Sequence, residues 1–154
     1  MSSAKNSEPI AEGGMSGFIR GAGTILAISY PVLALSTGVR AVYQGFFKDD
    51  VTNYLAVGLS GLAALCYLLA TVGFTVQRKW AWKLSVAVLL FETVMIFVVG
   101  GLSLLELYAE VIGRTVWREF GADYGYLPLI QPLLGLLWLF HSETLRSYGI
   151  RRGE

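Results

Sequence analysis

The stretch YLAVGLSGLAALCYLLATVGFTV, residues 54–76, contains no charged residue and decides the fold class. Asp49 and Asp50 precede this apolar stretch, and Arg78 and Lys79 follow it. A helix needs about 20 apolar residues to cross the hydrocarbon core of a bilayer. Residues 54–76 are long enough, so they predict a transmembrane helix.

Two further runs have the same character. Residues 21–39 are uncharged and lie between Arg20 and Arg40, and residues 84–105 carry a single charge, Glu92. Over the whole chain 55% of the residues are hydrophobic and 15% are charged, whereas in soluble domains about a quarter are charged. Composition and pattern together exclude an ordinary soluble domain.

A fourth apolar segment, residues 127–140, is shorter and contains Pro128, Gln131 and Pro132. Extended to residues 124–141, it gives about 18 residues, or roughly 27 Å of helix. That length is enough to cross a bilayer with little tilt, and a re-entrant segment is the competing interpretation.

The distribution of charge favours four crossings, because Lys and Arg concentrate in cytoplasmic loops. Eight of the twelve basic residues fall on one side of the predicted helices: Lys5, Arg20, Arg78, Lys79, Lys83, Arg146, Arg151 and Arg152. The opposite side has Arg40, Lys48, Arg114 and Arg118, outnumbered by Asp49, Asp50, Glu106, Glu110, Glu119 and Asp123. Basic segments at both ends of the chain on one side require an even number of crossings.

We therefore predict an all-α polytopic membrane protein, a four-transmembrane-helix bundle with both termini in the cytoplasm. The predicted parts are a disordered cytoplasmic tail over 1–16, a transmembrane domain over 17–146 and a cytoplasmic tail over 147–154. The predicted spans cover about 21–43, 54–76, 84–105 and 124–143.

Glu92 is the residue of greatest functional interest. It follows Trp82 by about ten residues and so lies roughly 15 Å deep, near the bilayer midplane. Tyr30 and Tyr67 have similar depth on predicted small-residue packing stripes, so we expect a polar cluster of Tyr30, Tyr67 and Glu92. Gln131 either extends this cluster or satisfies a backbone carbonyl freed by a neighbouring proline.

Three roles for Glu92 remain open from the sequence. A carboxylate at that depth costs several kcal/mol, and such residues often mark proton or substrate paths. Alternatively, a neutral acid donates a hydrogen bond that joins helices, or the side chain contacts a partner subunit.

The sequence predicts no catalytic, cofactor-binding or metal-binding residue. It has one cysteine, Cys66, and one histidine, His141, so an internal disulfide and a histidine-rich metal cage are excluded. The zinc-protease, phosphate-loop, nucleophile-elbow and dinucleotide-binding motifs are absent. The basic clusters are short and scattered, which is typical of contact with anionic lipid and not with nucleic acid.

The predicted outer loop, 106–126, is long and rich in aromatic residues. Its candidates for contact with a partner are Trp117, Phe120 and Tyr124.

Residues 77–140 resemble a segment of small, uncharacterised actinobacterial four-helix membrane proteins. The resemblance rests on Thr115-Val-Trp117, Phe120-Gly121, Tyr124-Gly-Tyr-Leu-Pro128-Leu, Pro132, Gly135-Leu-Leu-Trp138 and the turn Arg78-Lys-Trp80-Ala-Trp82. It implies the four-helix topology and the plasma (inner) membrane of a bacterium, but no activity or site. It does not extend to residues 1–53.

Two functions from different classes follow. The first is an accessory or scaffold subunit of a larger membrane or cell-envelope complex, suggested by the small size and the aromatic outer loop. The alternative is a homo-oligomeric small transporter or proton-linked channel that uses Glu92. The expected partners are the lipid bilayer and either other membrane-protein subunits or further copies of the chain. A membrane enzyme acting on lipid or quinone ranks third.

Overall fold

The computed structural model describes residues 9–151, and within them the chain is helical with no strand. The α-helices are α1 (Pro9–Val42), α2 (Tyr54–Thr75), α3 (Lys79–Leu102), α4 (Glu106–Ile112), α5 (Leu127–Leu139) and α6 (Ser142–Ser147). A π-helical turn, Tyr43–Phe47, follows α1, and a 3-10 segment, Arg118–Tyr124, precedes α5. The predicted all-α class is confirmed.

Helices α1, α2 and α3 are long and apolar enough to cross a membrane. Large apolar side chains such as Ile25, Leu65 and Phe97 point outward, each more than half exposed. Exposed apolar side chains over the whole length of long helices are expected where lipid replaces water as the solvent. The three helices therefore indicate an integral membrane protein.

Helix α2 follows its charge-bounded run closely, whereas α1 and α3 begin well before residues 21 and 84, where the predicted spans start. Helix α2 ends one residue before the predicted boundary, and α3 begins at Lys79, ahead of the predicted residue 84. The predicted disordered tail over 1–16 is wrong for residues 9–16, which form the first turns of α1; residues 1–8 lie outside the described part. Polar composition excludes membrane burial but not helix, and Pro is well suited to the first helical position.

Helix α5 has 13 residues, about 20 Å of helix, so the α-helix is shorter than the predicted span over 124–143, which stays a prediction. Gly125 and Tyr126 adopt left-handed conformations, with φ of 62° and 60°. This turn stops the preceding 3-10 segment and starts α5 at Leu127.

The two ends of α5 nevertheless contact opposite ends of the long helices. Near its start, Arg40 at the end of α1 donates a hydrogen bond to the hydroxyl of Tyr124, at 3.1 Å. At its end, the indole N–H of Trp82 donates to the carbonyl of Leu139 at 2.9 Å, and that of Trp138 donates to the carbonyl of Ile19 at 2.8 Å. The segment from Tyr124 to Leu139 therefore reaches from the last turn of α1 to the first turn of α3.

We call the end of the bundle at Arg40 the acidic end, because most of its charged residues are acidic. Here the chain between α3 and α5 folds back onto the helices. The side-chain amide of Asn53 caps α2 and also donates to the carbonyl of Val111 at 2.8 Å. The backbone N–H of Glu119 donates to the hydroxyl of Ser103 at 2.8 Å. The connection is thus part of the folded body.

We call the other end the basic end; Arg20, Arg78, Lys79 and Arg146 lie there. The Tyr148 hydroxyl donates to the carbonyl of Gly73, the last turn of α2, at 2.9 Å. Because Tyr148 is 2% exposed, this part of the predicted tail over 147–154 docks on α2, and its cytoplasmic location stays a prediction. Residues 152–154 lie outside the described part.

The docking of Tyr148 should depend on pH. Burial raises the pKa of Tyr148 from 10.0 to about 12. The unfolded chain ionises at a lower pH than the folded chain, so the buried Tyr148 hydroxyl stabilises the fold fully below pH 10. That contribution to the free energy of unfolding is lost as the pH rises towards 12.

We expect Tyr148→Phe to reduce the free energy of unfolding by about 1 kcal/mol at neutral pH. Above pH 10, this free energy should fall less steeply with pH in the variant than in the unmodified chain. Denaturant unfolding of the purified chain measures both effects, with the exposed Tyr126→Phe as control. An equally steep alkaline fall in Tyr148→Phe would contradict this assignment.

Candidate functional site

Three buried side chains from three different helices form what we call the central cluster: Tyr30 of α1, Tyr67 of α2 and Glu92 of α3. Their exposed fractions are 0%, 1% and 1%. The two tyrosine rings meet edge to face with centroids 5.8 Å apart. Glu92 lies within electrostatic range of both phenol groups. The three residues for which the sequence predicted similar depth thus share one region of the core.

Small side chains allow the helices to approach each other at this level. Ala63 and Ala70 of α2 are both 0% exposed, and Ala34 of α1 is 3% exposed. In lipid, helices associate through such close backbone packing because lipid chains are as apolar as the helices. The tight contact between α1 and α2 brings Tyr30 against Tyr67 and leaves Glu92 facing the interior.

The polar atoms of the central cluster lack hydrogen-bond partners within the described chain. This holds for both phenol oxygens and for both carboxyl oxygens of Glu92. An unpaired buried polar group costs about 1–3 kcal/mol. In this conformation Glu92 therefore does not join helices by a hydrogen bond, as a purely structural role would require.

The surroundings of Glu92 contain no candidate metal centre. Cys66 is buried nearby as a free thiol, within electrostatic range of the carboxyl group. Among residues 9–151 there is no group of three or more His, Cys, Asp or Glu side chains that could hold a metal ion.

Gln131 bridges α5 to α1 through Ser29. It is 6% exposed, and its side-chain amide donates to the hydroxyl of Ser29 at 2.6 Å. Its donor is therefore used on a side chain and not on a carbonyl freed by a proline. Ser29 immediately precedes Tyr30, and sequence reasoning did not single it out, although a hydroxyl inside an apolar run was the available signal.

A row of aromatic rings leads from the central cluster towards the basic end. The Phe74 ring lies 5.2 Å from Tyr30 and 5.7 Å from Trp138, measured between centroids. Trp138 in turn contacts Tyr148, with centroids 6.2 Å apart. The row connects the centre of the bundle to its surface.

The row ends in a cleft of about 680 Å³, which we call the basic cleft. Its walls include Arg20 and Thr24 of α1, Gln77 after α2, Trp138 of α5, and Thr144 and Arg146 of α6. Its inner surface is formed by Ala27 and Phe74, next to Tyr30. The sequence did not predict this cleft, because its walls come from segments more than a hundred residues apart.

The three residues that the sequence predicted to contact a partner make contacts within their own chain. Trp117 is 0% exposed, so its assignment as a partner contact is corrected: its ring fills the core at the acidic end. Phe120 packs against Phe97 with centroids 6.0 Å apart, and Tyr124 accepts the hydrogen bond of Arg40. The aromatic loop closes the bundle of its own chain.

No family model matches this chain, and no curated protein or solved structure matches it either. The resemblance of residues 77–140 to actinobacterial four-helix membrane proteins therefore stays a prediction.

Proposed function

We propose that the chain crosses the bacterial plasma membrane four times, with its basic end in the cytoplasm. The support comes from α5 and the turn before it: Tyr124 of the turn contacts Arg40 in the last turn of α1, and Trp138 of α5 contacts Ile19, 21 residues earlier in α1. The short helix is extended by the turn before it and the residues after it. The surplus of Lys and Arg at the basic end gives the orientation.

We further propose that the protein is a small proton-linked transporter or channel in which the central cluster binds and releases the proton. The observation that carries this proposal is the carboxyl group of Glu92, which is 1% exposed and has no hydrogen-bond partner. Intramembrane carboxyl groups are costly and usually functional. A group that served only to hold helices together would have used its hydrogen bonds.

Exchange of a proton at Glu92 would change the charge at the centre of the bundle. An ionised carboxylate without partners is expensive to keep in a closed apolar core. The ionised form therefore favours a conformation that brings water, a cation or the phenol donors of Tyr30 and Tyr67 to the carboxylate. A proton that binds one conformation better than another shifts the population between them. This shift would couple proton binding at Glu92 to transport or to channel opening.

The basic cleft supplies a route from one side. Phe74 separates it from Tyr30 by a single ring, with 5.2 Å between the centroids. Rotation of one aromatic side chain would then connect the cleft to the central cluster.

The alternative of an accessory subunit has less support. That hypothesis relied on the aromatic outer loop as the surface that contacts a partner. Trp117 of that loop is buried within its own chain. The central cluster is also built from three helices of one chain, so no partner is needed to complete it.

The direct test is proton flux in liposomes that contain the purified full chain and an internal pH-sensitive dye. A proton-linked channel is expected to acidify the lumen faster than empty liposomes when a pH gradient and a potassium–valinomycin potential are applied. A coupled transporter is expected to do so only when its solute is added, so a panel of small solutes is included. No flux under any condition, together with stoichiometric foreign subunits in mild-detergent purification, would favour the accessory subunit.

A further inference from the structure

The basic cleft contains two guanidinium groups that form no ion pair with any of the described residues. Arg20 and Arg146 both line it, and neither forms an ion pair within residues 9–151, where the ion pair present is that of Arg118 with Glu119 at the acidic end. Glu143 also lines the cleft, so the three charged side chains leave one net positive charge. Guanidinium groups that line a common cleft are the donors that proteins use for oxyanions.

Thr144 adds a buried hydroxyl donor to the lining of the basic cleft. It is 2% exposed, it lines the cleft, and its hydroxyl oxygen has no hydrogen-bond partner. The neighbouring hydroxyls are already engaged: Thr24 donates to the carbonyl of Arg20 at 3.0 Å, and Ser147 to that of Thr144 at 2.8 Å. An unsatisfied buried hydroxyl that lines a basic cleft points to a ligand that accepts a hydrogen bond.

We propose that the basic cleft binds a phosphate group, with Arg20, Arg146 and Thr144 as its donors. A phosphate offers several oxygens in a tetrahedral arrangement, so it can accept from donors on different helices at once, whereas a carboxylate offers two oxygens in one plane. The volume of about 680 Å³ falls within the usual range of ligand pockets, about 300–1,000 Å³.

Two sources of the phosphate share this chemistry. The cleft opens at the basic end of a membrane protein, at the level where phospholipid headgroups lie, so an anionic headgroup is one source. A soluble phosphate compound that enters from the same side is the other. The proposal requires the membrane placement of the bundle but not proton exchange at Glu92, so each can fail without the other.

The test measures binding by calorimetry to the full chain purified in a neutral detergent. The probes are inorganic phosphate and short-chain phosphatidylglycerol, with short-chain phosphatidylcholine as the zwitterionic comparison. We expect the double variant Arg20→Gln/Arg146→Gln to weaken binding about a hundredfold, near tenfold for each charged hydrogen-bonding partner removed. Thr144→Val keeps the shape of the side chain and should weaken binding about threefold to tenfold.

The matched control is Arg78→Gln/Lys83→Gln, which removes two positive charges from the same end outside the cleft. It should bind each probe within about twofold of the unmodified chain, because neither side chain lines the cleft and exposed charges are screened by salt. Binding of phosphatidylglycerol but not inorganic phosphate identifies a lipid headgroup; comparable binding of inorganic phosphate identifies a soluble compound. The proposal is overturned if the unmodified chain binds neither probe, if the cleft variant binds normally, or if the control loses as much as the cleft variant.

Discussion

We expect Glu92→Gln to abolish proton-dependent flux in liposomes while the bundle folds and inserts normally. Gln keeps the size and hydrogen-bonding capacity of the protonated acid but cannot release a proton. Glu92 is 1% exposed and unpartnered, so the substitution breaks no hydrogen bond of the described structure, and a neutral amide removes the risk of an uncompensated charge. The free energy of unfolding should stay within about 1 kcal/mol of the unmodified chain.

The matched control for this experiment is Glu106→Gln, which removes an exposed carboxylate at the acidic end. Its flux should equal that of the unmodified chain. Glu92→Asp retains the titrating group on a shorter side chain and should keep part of the flux. If Glu92→Gln carried protons as fast as the unmodified chain, the central cluster would not be the coupling site.

The second large effect is expected for Trp117→Ala, which should destabilise the isolated chain by about 3–5 kcal/mol. Trp117 is 0% exposed and fills the core where the 3-10 segment closes the acidic end. Its removal leaves a cavity that the surrounding helices can fill only in part. Thermal unfolding in detergent, followed by circular dichroism, measures the loss.

Trp80→Ala is the matched control, because Trp80 is 51% exposed and the substitution is the same. It should change the stability by less than about 1 kcal/mol. A partner-contact role for Trp117 makes the opposite forecast: an unchanged isolated chain and a lost complex. Equal stability of Trp117→Ala and Trp80→Ala would therefore contradict a core role for Trp117 and would favour the accessory-subunit hypothesis.

The sequence was most informative where charge and apolar length act directly on the chain. Asp49, Asp50, Arg78 and Lys79 bracket the second apolar run, and α2 follows that run to within one residue. The depth of a residue can be counted along a helix, so Tyr30, Tyr67 and Glu92 could be expected at one level. The edge-to-face contact of the two tyrosines then depends on small residues that sequence periodicity also marks.

The sequence was least informative where backbone conformation or distant contacts decide. The left-handed turn at Gly125 and Tyr126 shortens α5, and a tyrosine at positive φ has no reliable sequence signal. An aromatic residue in a loop is equally typical of a core and of an interface, so the burial of Trp117 could not be inferred. The basic cleft joins residues near the start of α1 to residues of α6, which only the folded chain brings together.

Proton exchange at Glu92 is measured most directly by infrared spectroscopy of the carboxyl groups as a function of pH, in lipid, for the unmodified chain and for Glu92→Gln. A protonated carboxyl group in an apolar site has a carbonyl band separate from those of exposed acids. We expect the unmodified chain to show such a band, with an intensity that falls as the pH rises because a proton leaves Glu92. We expect the band to be missing from Glu92→Gln. Identical spectra of the two proteins at every pH at which the bundle stays folded would contradict proton exchange at Glu92.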